Sequence, residues 1–257
     1  MCRHLAYLGP PRSLSSLLYE PEHSLEQQSW KPRYQRQGAM NADGWGVGWW
    51  DPLARPEPAR YRTASPMWTD RSFRSVAEVV SAGAILAAVR SATPPSPIVD
   101  TGNAPFTAES WLFSLNGFVR DFRGPVGHGL RGLITERRAV HIDGTSDSEV
   151  LFALVLDALD EGAAPEQALA RAVGEAVSRS EAVLNLLLCD GHTILGTTFG
   201  NSLFALQGTG LATGGVLVAS EPLDDRDGWV PVPERSIIRA TCTDLEIFPL
   251  TAHGGPS

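Results

Sequence analysis

Two helix-like segments follow one another near the middle of a sequence that is otherwise rich in short apolar runs. Apolar residues recur at helical spacing in residues 150–159 and again in 165–177, whereas runs such as 4–8 and 85–89 are short enough for buried strands. A chain built from βαβ units would instead alternate strands with helices along its length. The order of strands, paired helices and strands therefore predicts an α+β fold with antiparallel sheets.

Apolar runs and turn residues predict the remaining elements. Further strands are predicted at residues 41–50, 60–63, 111–115, 184–189, 193–198, 202–206, 216–220 and 237–250, and a helix at 72–81. Glycines alternate with large residues between Trp45 and Trp49, so this strand is predicted to pack closely against another backbone. Residues 20–37 mix prolines with aromatic and polar residues, which favours a surface loop.

Length and composition predict one domain over residues 1–251, followed by a flexible tail at 252–257. Hydrophobic residues make up 43% of the chain and charged residues 19%, as in globular proteins. No apolar stretch is long enough to span a membrane, and the start lacks the apolar segment of a signal peptide, so a cytoplasmic protein is predicted. The net charge of −8 argues against nucleic acid or an anionic membrane as the main partner.

The three cysteines are widely spaced and do not suggest a disulfide framework. Cys189 and Cys242 lie in apolar strand-like runs and are predicted to be buried core thiols. Cys2 and His4 have no companions at the spacing of a zinc site, so no metal and no cofactor are predicted.

Cys2 directly follows the initiator methionine, and removal of Met1 would give this residue a free α-amine. The pKa of such an amine is about 7.7–8.0, close to operating pH and suited to a general base. One residue would then carry both the nucleophilic thiol and its base. A cysteine at the second position also occurs without any catalytic role, and this alternative stays open on Cys2 alone.

Three other positions each have a functional and a structural interpretation. Arg90 ends a predicted buried strand, where its guanidinium suits either a bidentate carboxylate contact or a structural ion pair. Asn116-Gly117 offers a side-chain amide beside a backbone N–H, as an oxyanion site requires, but Asn-Gly is also a common hairpin turn. Asp147 begins a predicted helix after Ser146, which has capping-box spacing to Glu149, so the helix dipole alone could explain its charge.

The combination of these motifs is more specific than any one of them. Cys2, the block 43–46, the block 90–93, Asn116-Gly117 and the block 146–149 occur in the order and approximate spacing of a known family. The chain resembles the class II glutamine amidotransferase domains, which are N-terminal-nucleophile hydrolases. The resemblance implies a four-layer αββα sandwich of two antiparallel sheets.

The same resemblance implies a role for each matching residue. Cys2 is expected to attack the γ-carbonyl of a glutamyl group, and Asn116 with the Gly117 N–H to hold the oxyanion. Arg90 is expected to bind the glutamyl α-carboxylate, and Asp147 the α-ammonium. Two more residues from the matching blocks, Thr93 and Trp45, are predicted to bind substrate.

Two departures affect the expected substrate. Family members that release ammonia from glutamine usually have glycine two residues after the threonine and histidine before the asparagine, whereas this chain has Pro94-Pro95 and Leu115. Blocks along almost the whole chain, densest before residue 120, instead resemble the branch that removes glutamate from γ-glutamyl-hercynylcysteine sulfoxide in ergothioneine biosynthesis. They include residues 1–9, 40–46, 89–93, 184–186 and 219–225.

The leading hypothesis is therefore a cofactor-free γ-glutamyl amide hydrolase that works through a thioester on Cys2 and binds a small-molecule γ-glutamyl substrate. Seven tryptophans suggest aromatic walls for a cationic leaving group, with the segment 29–30 and the Trp45 block as candidates. Alternatives are a glutaminase subunit that donates ammonia to a separate synthase, a hydrolase of other γ-glutamyl peptides, and an inactive binding protein. A homo-oligomer is among the states that the sequence allows.

Overall fold

The computed structural model describes residues 2–36, 38, 40–93, 96–140 and 142–251. Met1 and the predicted tail, residues 252–257, lie outside these ranges. The strands are β1 (Arg3–Ser13), β2 (Trp45–Trp49), β3 (Ala59–Thr63), β4 (Ser81–Val89), β5 (Phe106–Ala108), β6 (Trp111–Val119), β7 (Ala182–Cys189), β8 (Ile194–Thr198), β9 (Phe204–Gln207), β10 (Val216–Ala219), β11 (Val230–Pro231), β12 (Ser236–Ala240) and β13 (Leu245–Pro249). The α-helices are α1 (Ser15–Leu18), α2 (Leu25–Trp30), α3 (Arg71–Val79), α4 (Pro125–Arg131), α5 (Glu136–Ala139), α6 (Asp147–Asp160) and α7 (Pro165–Val177).

The strands form two sheets. The strand order is β11-β9-β10-β1-β4-β2-β3 in the first sheet and β13-β12-β8-β7-β6-β5 in the second. The pairings between neighbouring strands are antiparallel in both sheets. Strand β1, which directly follows Cys2, is the central strand of the first sheet. The predicted α+β fold with antiparallel sheets is confirmed.

Successive side chains of β1 point to opposite faces of the first sheet. Leu5 and Tyr7 are buried in a core that also contains apolar residues of α2 and α3. Ala6 and Leu8 are buried in a second core, which lies between the sheets. A third core fills the space between the second sheet and helices α6 and α7. The layers are thus helices, sheet, sheet, helices, which confirms the αββα sandwich.

The glycines of β2 let the two sheets approach each other closely. A Cβ atom on Gly46 would lie 2.5 Å from the carbonyl oxygen of Ala104, and one on Gly48 would overlap the side chain of Leu112. Both neighbours belong to or adjoin the second sheet. The close packing predicted from the alternation of glycine with large residues is confirmed.

Two local predictions before residue 120 are wrong. Residues 20–37 are not all loop, because α2 forms there with Ser24 as its N-cap, whose hydroxyl accepts a hydrogen bond from the Gln27 N–H at 3.2 Å. Asn116-Gly117 is not a hairpin turn, because β6 continues through both residues in register with β7. Cross-strand pairing therefore outweighs the local turn preference of Asn-Gly.

Two predictions near the C-terminus are also corrected. Residues 237–250 form two strands, β12 and β13, which pair with each other. Cys242 lies in the connection between them and is exposed, whereas Cys189 is buried as predicted. Within the described ranges, no helix combines the length and the apolar character needed to cross a bilayer.

Candidate active site

A cavity of ≈ 640 Å³ opens where the start of β1, the end of β4, the end of β6 and the start of α6 come together. Its lining includes five of the seven predicted site residues: Cys2, Arg90, Thr93, Gly117 and Asp147. These residues come from four distant parts of the sequence. Their meeting in one cavity is the main structural support for the predicted site.

Cys2 is half-buried and lies at the end of the central strand. The alternation along β1 places its even-numbered residues between the sheets, and the His4 ring accordingly contacts the Ser114 hydroxyl of β6 at 3.1 Å. Burial lowers the pKa of His4 to about 3, and the positive charge of Arg3 adds to the effect. With so low a pKa, the His4 ring is too weak a base to take the proton of the Cys2 thiol.

Asn116 and Gly117 lie on β6, which faces β1 across the space between the sheets. The Asn116 side chain has no exposed surface, and its Nδ2 donates a hydrogen bond to the Ser220 hydroxyl at 3.3 Å. Gly117 lines the cavity, and a Cβ atom there would overlap the carbonyl oxygen of Val183 in β7. Glycine is thus required for β6 to pair with β7 at the point where it reaches the cavity.

Arg90 follows β4 and is held by the loop that precedes β2. Its backbone N–H donates to the Gly44 carbonyl at 2.8 Å, and its carbonyl accepts from the Asp43 N–H at 3.0 Å. The Asp43 carboxylate in turn accepts from the Ala92 N–H at 2.7 Å. The two motif blocks 43–46 and 90–93 therefore fix each other, and they leave the Arg90 side chain directed along the cavity wall.

The Arg90 guanidinium is half-buried and passes close over a glycine. Its Nη1 donates to the Pro97 carbonyl at 3.1 Å, and a Cβ atom on Gly102 would lie 3.0 Å from the same nitrogen. Any larger residue at position 102 would push the guanidinium aside. The contact with Pro97 uses one N–H group of the guanidinium, so a carboxylate ligand can accept hydrogen bonds from its other N–H groups.

Asp147 is the first residue of α6, and its two carboxylate oxygens accept different backbone hydrogen bonds. Oδ2 accepts from the Val119 N–H at 2.9 Å and Oδ1 from the Ser148 N–H at 2.8 Å. Burial raises the pKa of Asp147 above its ordinary value, although these N–H groups partly oppose the shift. A desolvated carboxylate in a cavity is a favourable partner for an ammonium group.

The predicted capping box at the start of α6 is confirmed. The Ser146 hydroxyl accepts from the Glu149 N–H at 3.3 Å, and the Glu149 carboxylate accepts from the Ser146 N–H at 3.2 Å. The N-cap contacts are therefore made by Ser146 and Glu149. Asp147 instead ties the helix start to the end of β6.

Thr93 and Trp45 differ in where the structure places them. Thr93 is exposed and lines the cavity, as a substrate contact requires. Trp45 has no exposed surface and packs in the helix-side core, with its ring centroid 4.9 Å from that of Phe73 and 5.4 Å from that of Tyr61. Trp45 is not part of the described cavity lining, so the structure gives its predicted contact with substrate no support.

The other tryptophan candidate also lies elsewhere. Trp30 packs edge-to-face on Trp68, and both line a separate open groove that shares no described lining residue with the catalytic cavity. The aromatic residues in the described lining of the catalytic cavity are Phe118 and Phe122. The sequence reasoning missed them because their only local signal is a position just after Asn116-Gly117.

One group of described residues could offer three ligand atoms to a metal ion, namely Glu22, His23 and Asp225. It lies on the surface, outside the described lining of the catalytic cavity, and Asp225 is already paired with His23 and Arg33. This cluster supports no metal assignment.

Comparisons with known proteins find relatives that match this chain along most of its length. A family model described as class II glutamine amidotransferases matches residues 19–208. A γ-glutamyl-hercynylcysteine sulfoxide hydrolase of Mycolicibacterium smegmatis is 40% identical over 256 residues, which cover 97% of this chain and 100% of that protein. A protein of the same name from Mycobacterium tuberculosis is 38% identical, with 100% of each chain covered.

The fold has close counterparts among solved structures. A glutamine aminotransferase class-II domain protein from Silicibacter pomeroyi matches with a TM-score of 0.72 and 26% identity, over 97% of this chain and 100% of that chain. The family match spans most of the sequence, and relatives of nearly 40% identity cover it from end to end. This chain therefore belongs to the class II glutamine amidotransferases.

Proposed function

We propose that this protein hydrolyses the γ-glutamyl amide bond of γ-glutamyl-hercynylcysteine sulfoxide, releasing glutamate and hercynylcysteine sulfoxide. The observation that carries the proposal is the single cavity that contains Cys2, Gly117, Arg90 and Asp147. The full-length relatives that bear this substrate in their names support the choice of leaving group.

The glutamyl half of the substrate is zwitterionic at its α-carbon, and the cavity lining offers charged groups of both signs. The Arg90 guanidinium suits the α-carboxylate, and the desolvated Asp147 carboxylate suits the α-ammonium. Thr93 adds a hydroxyl near Arg90. A γ-glutamyl group held at its α-carbon would extend its side-chain carbonyl toward Cys2.

In the proposed reaction, the free α-amine of mature Cys2 accepts the thiol proton and the thiolate attacks the γ-carbonyl carbon. The Asn116 amide and the Gly117 N–H stabilise the oxyanion. The tetrahedral intermediate collapses, the C–N bond breaks, and the Cys2 ammonium gives its proton to the departing amine. Water, deprotonated by the same amine, then attacks the thioester carbonyl. The C–S bond breaks, the Cys2 ammonium returns its proton to the departing thiolate, and glutamate is released.

The size and lining of the cavity favour a leaving group larger than ammonia. Its volume of ≈ 640 Å³ lies within the range of about 300–1,000 Å³ that is usual for drug-sized ligands. Phe118, Phe122 and Asp121 supply two aromatic rings and a carboxylate, the groups that attract a quaternary ammonium, and one face of Phe122 already has the Arg131 guanidinium 5.3 Å from its centroid. We propose these residues, in place of the tryptophans, as contacts for the trimethylammonium of the hercynyl group.

A substrate panel tests the proposal. Glutamate release is measured from γ-glutamyl-hercynylcysteine sulfoxide, from its analogue with hydrogen in place of the trimethylammonium, and from glutamine, with Cys2→Ala as the inactive control. We expect kcat/KM for the first substrate to exceed that for glutamine at least about tenfold, since 1.4 kcal/mol of cation binding corresponds to that factor. The analogue should lose most of this preference. Equal kcat/KM values for glutamine and for γ-glutamyl-hercynylcysteine sulfoxide, the betaine substrate, would contradict the proposed substrate and favour a glutaminase subunit.

The single domain, the cytoplasmic location, the homo-oligomer and the lack of a nucleic-acid partner stay predictions.

A further inference from the structure

The oxyanion site depends on which end of the Asn116 carboxamide faces the substrate. Nδ2 can donate a hydrogen bond to a developing negative charge, whereas Oδ1 would repel it. The two orientations have nearly the same shape, so packing alone does not choose between them. The orientation of the amide is set by its hydrogen-bond partners. The partners of the Asn116 amide are Asn201 and Ser220, which are buried, and Asn201 in turn is bound by the buried Asn185.

Asn185 is the cross-strand partner of Asn116 and has no exposed surface. Its Oδ1 accepts from the backbone N–H groups of Phe199 and Asn201, each at 3.1 Å. Its Nδ2 donates to the carbonyls of Asn201 at 3.0 Å and Ser202 at 3.2 Å. Backbone groups have fixed donor and acceptor roles, so the Asn185 amide has one orientation and holds residues 199–202 against β7.

Asn201 is held in this way directly behind Asn116 and is also buried. Its Nδ2 donates to the backbone carbonyl of Asn116 at 3.2 Å and to the side-chain Oδ1 of Asn116 at 3.3 Å. A backbone carbonyl only accepts, so the first contact fixes the Asn201 nitrogen toward Asn116. The reverse orientation of Asn116 would set two Nδ2 donors against each other.

Ser220 contacts the other end of the Asn116 amide. Its hydroxyl oxygen accepts from the His4 backbone N–H at 3.0 Å and from Asn116 Nδ2 at 3.3 Å. A hydroxyl can donate as well as accept, so Ser220 tolerates either orientation of Asn116. Asn201 is therefore the contact that discriminates. Ser220 uses one of the two Nδ2 hydrogens, which leaves the second for the substrate oxygen.

We infer that Asn201, held by Asn185, is a positioning residue that orients the Asn116 amide as an oxyanion donor. This inference rests on the proposed function, since it assumes acyl transfer at Cys2. It gives a role to the segment 184–186, which the sequence comparison singled out without assigning one. Asn201 acts through Asn116, which it contacts directly and which precedes the cavity residue Gly117 in β6.

Two substitutions at position 201 separate orientation from packing. Asn201→Asp keeps the side-chain volume but presents oxygen to Asn116 Oδ1, so it selects the wrong orientation. Asn201→Ala removes the side chain and leaves both orientations accessible. We expect kcat to fall about 10²-fold in Asn201→Asp, comparable to loss of one oxyanion donor, and less in Asn201→Ala, with KM within about twofold of wild type in both. A packing role predicts the reverse order, because alanine leaves the larger cavity.

A double-mutant cycle tests whether the effect passes through Asn116. In an Asn116→Ala background the amide to be oriented is absent, so Asn201→Asp should change kcat less than about twofold. A charge effect of the new carboxylate on the oxyanion would persist in that background. A full additional 10²-fold loss there would overturn the inference.

Asn41→Asp is a matched control, because Asn41 is an equally buried amide whose Nδ2 donates to a backbone carbonyl, that of Gln28, at 2.9 Å. The effect of Asn41→Asp on kcat, large or small, should be additive with the effect of Asn116→Ala. Thermal melting is recorded for every variant. If Asn201→Asp does not fold, Asn201→Ala decides the question: its loss in kcat should be smaller than that of Asn116→Ala, and the losses of the two variants should not add in the double variant. Kinetics are run on glutamine as well as on the betaine substrate, so a wrong leaving group does not affect this test. If Asn201→Asp has the wild-type kcat on either of these substrates, the inference is overturned.

Discussion

Asp147→Asn is the substitution whose consequences the structure predicts in most detail. Both carboxylate oxygens accept a backbone N–H, from Val119 and from Ser148. Asparagine offers one oxygen and one NH₂ group, so one of these N–H groups would face a donor. An unsatisfied buried N–H costs about 1–3 kcal/mol. For a domain of this size that corresponds to a fall in melting temperature of about 2–12 °C.

The loss of charge at Asp147 should appear in substrate capture. A hydrogen bond between charged groups contributes about 1.5–3 kcal/mol, so kcat/KM for γ-glutamyl substrates should fall about 10- to 150-fold. A desamino analogue, which has no α-ammonium, should be hydrolysed by Asp147→Asn and wild type at rates within about twofold of each other. Steady-state glutamate or glutarate release measures both.

Asp157→Asn provides the matched control in the same helix. Asp157 accepts the Thr135 N–H at 2.9 Å, as Asp147 accepts that of Val119, but it does not line the cavity. Asp157→Asn should leave kcat/KM unchanged and lower the melting temperature less than Asp147→Asn, because the Thr135 hydroxyl on the other Asp157 oxygen can accept from the new NH₂ group. The reasoning is refuted if Asp147→Asn keeps wild-type kcat/KM on α-amino substrates, or loses activity equally on the desamino analogue.

The remaining predictions concern the pH dependence of Asp147, the oxyanion donor Asn116, the binding of the substrate carboxylate by Arg90 and the removal of Met1. Because burial raises the pKa of Asp147 above its ordinary value of about 3.9, KM for α-amino substrates should rise as the pH falls through this raised pKa, and KM for the desamino analogue should not. The same shift lowers the free energy of unfolding at pH values above the raised pKa and has no effect on it below the pKa of Asp147 in the unfolded chain. Asn116→Ala should lower kcat about 10²–10³-fold with little change in KM, and a folded variant with wild-type turnover would return Asn116 to a structural role. Arg90→Lys keeps the charge but loses the fork, so kcat/KM should fall while kcat falls less, and equal kcat/KM would contradict bidentate capture. Intact-mass measurement of an active preparation should show a chain that begins at Cys2, and full activity with Met1 retained would remove the proposed base.

Elements with strong local signals could be predicted from the sequence. The helix Pro165–Val177 has the predicted bounds, because proline at its first turn and a regular apolar stripe define it locally. The capping box likewise placed the start of α6. Helix α2 was missed because its six residues carry little periodicity, and its position depends on the Ser24 cap and on burial of Leu25.

The candidate site divides in the same way. Residues at the ends of strands and helices, such as Arg90 and Asp147, could be placed because a buried run or a cap precedes them. The sequence could not place Trp45, because an aromatic residue beside glycines looks the same whether it packs in a core or lines a cavity. The link between Asn116 and Asn201 spans 85 residues and arises from sheet register, which no local pattern specifies.

Asn116 and Asp147 each had a structural explanation in the sequence, and the structure removes the hairpin turn proposed for Asn116 but leaves the helix-dipole explanation of Asp147 open. The Ser146 hydroxyl and the Glu149 carboxylate already cap α6, so Asp147 is not needed to cap the helix. Asn116 lies within a paired strand, so its identity is not needed for a turn. Asp147 still ties the start of α6 to β6 through the Val119 N–H, so for this residue a structural role and the proposed binding role coexist. A buried amide such as that of Asn116, which no turn requires, is costly to keep, which favours a role in the reaction for this residue.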